Sequence, residues 1–101
     1  MEIKILSEET TPYTFAIIGR LDTNTAHQLE EFSNETYKKG ITNILVNMQD
    51  CDFVSSAGLR VIIAMQKQAS ATQGTLEFTN VSNDVMEVFS MTGFDRILTF
   101  S

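Results

Sequence analysis

The residues best placed to do chemistry are gathered in Phe53-Val54-Ser55-Ser56-Ala57-Gly58-Leu59-Arg60, where two adjacent hydroxyls open the longest apolar helical stretch of the chain. A serine in the first turn of a helix faces backbone N–H groups that have no intrahelical partner, so the position is prepared for negative charge before any arrives. A phosphate on Ser56 would be stabilised there. Arg60 follows Ser56 by four residues, which puts both on nearly the same helical face, where Arg60 either clamps a phosphate or is an ordinary solvated residue with its stem along the apolar surface. These types and spacings predict a charge switch set at Ser56, with Ser55, Ala57, Gly58 and Arg60 adjacent to it.

Other chemistries fit the residues less well. A serine hydrolase needs glycine two residues before its nucleophile to make the strained turn, and Val54 stands there. His27, the only histidine and so the only candidate base of a triad, opens the first predicted helix, where a surface or capping role suffices. Cys51 is a lone thiol without a resolving partner and reads as a small buried residue. Asp50 and Asp52 share one loop, and two such carboxylates serve as solvated groups or amide caps more readily than as a cation site. No metal, cofactor or catalytic residue is expected.

The composition narrows the class further. The chain has 101 residues, 43% hydrophobic, which is enough for one core and one domain spanning 1–101. Seven Lys and Arg against thirteen Asp and Glu give a net charge of -6, which opposes attraction to nucleic acid or anionic lipid. No run approaches the roughly 18 apolar residues of a membrane span, and Met1–Ser7 lacks a signal-peptide core. A soluble, cytoplasmic chain is expected. One cysteine and one histidine are too few for a structural zinc site, so packing alone must hold the fold.

The elements that position Ser56 follow from periodicity. Glu2–Leu6 alternates, Tyr13–Ile18 is rich in aromatic and β-branched residues, and the turn-like stretch between them predicts an antiparallel hairpin ended by Gly19. Asp22-Thr23-Asn24-Thr25, with Gln28 three residues beyond Thr25, predicts a capped helix over Asn24–Lys39, closed by Gly40. Ile41–Met48 reads as a strand buried on both faces, and Gln49–Val54 as the loop at its carboxyl end, the edge where open α/β sheets place their sites. Helix Ala57–Gln73, strand Thr75–Thr79, a helix capped by Ser82 and ended by Gly93, and strand Ile97–Phe100 complete the chain. The order β-β-α-β-α-β-α-β predicts an α/β domain with a mixed, mostly parallel sheet and an antiparallel N-terminal strand. From Ala57 to Met65 the second helix carries one charge, Arg60, so it is either packed on both flanks or partly open beside Ser56 as a partner surface.

The chain resembles the STAS family, the domain of anti-sigma factor antagonists and of the cytoplasmic ends of sulfate transporters. The resemblance rests on Gly19-Arg20-Leu21-Asp22, on Ile44-Leu45-Val46-Asn47 followed by Phe53-Val54-Ser55-Ser56-Ala57-Gly58-Leu59, and on Met91-Thr92-Gly93-Phe94. It implies a non-enzymatic partner switch. The unmodified protein would bind an anti-sigma factor that is itself a serine kinase, phosphorylation would release it, and a serine phosphatase would restore it. Aligned on Gly58 and Leu59, Ser56 falls at the family's phosphorylated serine, while Ser55 stands where many antagonists carry aspartate. Asp22, Arg20 and Leu59 are carried over as partner-binding residues, and the family's extra C-terminal helix has no counterpart here. The alternative is a permanent interaction or scaffold subunit of a signalling or transport assembly, with Ser56 only capping its helix. The oligomeric state is left open.

Overall fold

Tyr13, Phe15 and Ile17 alternate with Thr14, Ala16 and Ile18, and that period of two decides how the strands lie: the first set is buried and the second only half-buried. In the computed structural model, which describes residues 1–101, the strands are β1 (Glu2–Ser7), β2 (Tyr13–Leu21), β3 (Asn43–Asn47), β4 (Cys51–Val54), β5 (Thr75–Thr79) and β6 (Thr99–Phe100). Three helices, α1 (Ala26–Lys38), α2 (Ser56–Ala71) and α3 (Asn83–Met91), lie between them, and a 3-10 turn at Phe94–Arg96 precedes β6.

The sheet order is β1-β2-β3-β5-β6, with β4 also paired to β2. Only β1 is antiparallel to its neighbour; β2–β3, β2–β4, β3–β5 and β5–β6 are parallel. The mixed sheet and its antiparallel N-terminal strand are as the sequence predicts. Register places Phe15 beside Val46 and Val46 beside Phe78, so the buried residues of three strands form one continuous face. The helices reach that face with aromatic side chains: Phe32 of α1 meets Phe15 edge-on at 4.7 Å, and Phe89 of α3 lies 6.3 Å from Phe78. None of the residues on the opposite face is buried.

Several expectations are corrected. β3 is not buried on both faces: Ile44 and Val46 point inward, but Asn43, Leu45 and Asn47 remain half-exposed because every helix packs on the other side. Gly19 does not end β2. Its φ of +100°, open to glycine at little cost, shifts the register and lets the strand run on to Leu21. Residues 51–54 of the expected loop are β4, which pairs with that continuation of β2. Thus the order is β-β-α-β-β-α-β-α-β. The final strand shrinks from Ile97–Phe100 to Thr99–Phe100, because Phe94–Arg96 turns as a 3-10 helix.

α1 begins at Ala26, later than Asn24, and Thr25 makes no side-chain cap bond to it. The Thr25 hydroxyl is held elsewhere, 2.7 Å from the Arg20 carbonyl, which it serves as donor. Ala26, Leu29, Ser33 and Thr36 form the buried stripe of α1, and the two hydroxyls satisfy themselves on carbonyls one turn back, Ser33 on Glu30 and Thr36 on Phe32. In α2, Leu59, Val61, Ile62, Met65 and Ala69 are buried while Arg60, Ala64, Lys67 and Gln68 are exposed. Hence its apolar surface is spent on packing, and it leaves no large apolar side chain open beside Ser56.

Candidate functional site

The junction of β4 and α2 is built on the end of β2. Cys51, Phe53 and Val54 pair in parallel with Gly19, Arg20 and Leu21, and the Ser55 N–H donates to the Leu21 carbonyl at 2.8 Å. Chain reversal follows at once. Ser55 has extended backbone, φ -92° and ψ 175°, and its hydroxyl accepts the Gly58 N–H at 3.3 Å. It is therefore Ser55, not Ser56, that caps α2. Serine and aspartate are near-equivalent in that role, so Ser55 retains the structural part of what an aspartate would supply at this position.

Ser56 is the first residue of α2, exposed, and its hydroxyl has no hydrogen-bond partner in the protein. With the Gly58 amide on Ser55 Oγ and the Leu59 amide on the Ser55 carbonyl, the N–H groups of Ser56 and Ala57 are left for solvent or a ligand. Those two donors and the positive end of the helix dipole favour an anion at this place. The arrangement can hold a phosphoryl group, and the one histidine, His27, lies on α1 with its ring against Glu30 and Glu31.

Gly58 explains how α2 comes so close to β2. A Cβ on it would lie 2.7 Å from Leu21 Cγ, closer than real Cβ contacts come, and 3.0 Å from the Leu21 carbonyl oxygen, tighter than nearly all of them. Glycine is required there for close packing. Leu59, carried over as a partner-binding residue, is 5% exposed and belongs to the core cluster, so its side chain is not a surface contact. Ala57 is half-buried and packs against the same cluster. Arg60 is exposed and forms no ion pair with an acidic side chain, which leaves its guanidinium free one turn beyond Ser56.

Arg20 and Asp22 flank the junction. The Arg20 guanidinium stacks 4.0 Å above the Phe53 ring, and its Nε lies 3.7 Å from Asp22 Oδ2. Asp22 Oδ1 accepts the N–H groups of Asn24 and Thr25 at 3.0 and 3.2 Å. Partial desolvation would raise the Asp22 carboxyl, but these two amides, the Thr25 hydroxyl and Arg20 outweigh it and hold the group below its ordinary value. The result is a fixed, charged rim. Phe53 as the platform for Arg20 escapes a sequence reading, since the cross-strand pair exists only once β4 is recognised. Cys51 is buried, and burial pushes its thiol up, in keeping with a packing residue.

The STAS domain family matches residues 4–101. BtrV of Bordetella bronchiseptica, named as an anti-sigma factor antagonist, is 34% identical over 76 residues, 75% of this chain. That stretch is 66% of BtrV, just under two thirds of its length. Among solved structures, one described as an anti-sigma factor antagonist from Thermotoga maritima superposes with a TM-score of 0.81 at 24% identity, covering 98% of this chain and 83% of that one. The Bacillus cell fate determinant SpoIIAA, solved in its phosphorylated form, gives 0.72 at 20% identity over 99% of this chain and 89% of its own. No helix is long and apolar enough to cross a membrane.

Proposed function

Because the chain belongs to the STAS domain family and is similar to anti-sigma factor antagonists, we propose that it is a partner-switching antagonist whose binding to an anti-sigma factor is set by phosphorylation of Ser56. The observation that carries this reading is the exposed, unpartnered Ser56 hydroxyl beside two free helix-terminal amides, on a helix start already capped by Ser55. Modification would consume no structural bond. A phosphate brings about -1.5 to -2 charges at neutral pH, accepts the free amides, and gives the exposed Arg60 guanidinium a partner. The same charge meets a partner docked over Ser56, Arg20 and Asp22 and repels it, with no refolding of the sheet.

The partner in this reading is an anti-sigma factor of the serine-kinase type, and a serine phosphatase reverses the step. The kinase acts without a carboxylate beside its acceptor, since Ser55 is neutral. Incubation with such a kinase and ATP should add one phosphate, located by mass spectrometry at Ser56. Ser56→Ala is expected to stay bound to the anti-sigma factor in the presence of ATP, and Ser56→Asp to lose affinity by about tenfold or more, as a desolvated like charge in an interface would. A chain that stays unmodified yet still binds would instead be a scaffold subunit. Equal binding by both variants would overturn the switch.

A further inference from the structure

β1 is an edge strand whose charges and apolar side chains are sorted by face. Glu2 and Lys4 pair across to Ile18 and Ala16 and so stand on the open side of the sheet, while Ile3 and Ile5 pair to Ile17 and Phe15 on the helix side. Both charged residues are exposed, and neither belongs to any ion pair of the protein. Beyond them Ile5 is 42% and Leu6 47% exposed, two of the four large apolar side chains that remain open to solvent. The outer edge of β1 has no strand beside it.

An edge is usually protected by charges that oppose a second strand. Here they fit one. If β1 pairs antiparallel with its own copy so that Ile3 faces Ile3, then Glu2 faces Lys4 of the partner subunit and Lys4 faces Glu2 of the partner subunit. The helix side of the same register sets Met1 opposite Ile5 and is apolar throughout. A shift by one residue in either direction about the two-fold puts Lys4 opposite Lys4 or Glu2 opposite Glu2. A larger shift toward Ser7 runs into the irregularity between Ile5 and Ser7, where the register with β2 already breaks, and one toward Met1 leaves neither Glu2 nor Lys4 opposite a charge of the strand. One pairing alone satisfies charge and face together.

We propose that a second copy of this chain docks on β1, in antiparallel register about Ile3, to give a reversible two-fold dimer with one continuous sheet. The contact is isologous, as closed two-fold pairs require. It is short, about five residues a side, so the association is weak and sensitive to salt. β4 and α2 lie across β2 from this edge, so the dimer leaves Ser56 open and stands or falls independently of the switch.

Charge reversal tests it with the whole chain. Sedimentation equilibrium over a concentration series should show a monomer–dimer balance for the wild type. Glu2→Lys and Lys4→Glu each turn two attractive cross-strand pairs into repulsive ones and should weaken the dimer by about tenfold. The double variant Glu2→Lys/Lys4→Glu recreates both pairs with signs exchanged and should dimerise as the wild type does. Circular dichroism confirms that each variant is folded. A wild type that stays monomeric throughout, or a double variant as monomeric as the single ones, overturns the proposal.

Discussion

The substitution most informative at residue scale is at Gly58. Glycine in a first helical turn costs roughly 1 kcal/mol relative to alanine, so on helix propensity alone Gly58→Ala should stabilise. The structure reverses that sign, because the new Cβ would meet Leu21 Cγ at 2.7 Å and the Leu21 carbonyl at 3.0 Å. Overpacking of this kind typically costs about 1–3 kcal/mol. Urea denaturation of Gly58→Ala is therefore expected to show a lowered midpoint; a raised one would mean that α2 does not press on β2 as described. Sequence alone shows that Gly58 is unusual. It does not show that Leu21 is the reason, since the two lie 37 positions apart and meet only through the pairing of β2 with β4.

At the scale of elements, Ser55 and Ser56 divide the work at the start of α2. Ser55→Ala removes the acceptor of the Gly58 amide and should cost about 1 kcal/mol, while Ser55→Asp should keep nearly full stability, both measured by thermal unfolding at neutral pH. A loss at Ser56→Ala as large as at Ser55→Ala would reverse the assignment of the cap. The helices were readable because their signals are local: Ser82 does cap α3 through the Val85 amide, and the stripe of α2 follows its own period. β4 was not readable. Four residues, Cys51-Asp52-Phe53-Val54, carry too little alternation to declare a strand, and their partner is a stretch of β2 reached only after the kink at Gly19. The last strand is shorter than its residues suggest for a related reason: Ile97 and Leu98 look like strand residues, but the Ile97 and Leu98 amides both turn back to the Phe94 carbonyl.

For the whole molecule, the sheet carries its helices on one side, and a single core of 21 buried residues lies between them. The two proposed surfaces use the ends and edges of this body: the proposed switch at the carboxyl end of β4, the proposed dimer contact at the free side of β1. β2 joins them. Its first half is bonded to β3 and its second half to β4, and the Ser55 N–H closes the row on the Leu21 carbonyl, just as the Gly19 N–H does on Asp50. Hydrogen exchange should expose what this means in time. The Ser55 amide can exchange only when its bond to the Leu21 carbonyl opens, and its protection should fall within about tenfold of that of the β3 strand amides. The next amide, that of Ser56, has no such bond and should exchange with the fast, solvent-facing class. Two neighbouring protons would then sit at opposite ends of the molecule's range of exchange rates, and the boundary between the unyielding fold and the surface a partner reads would be one peptide wide.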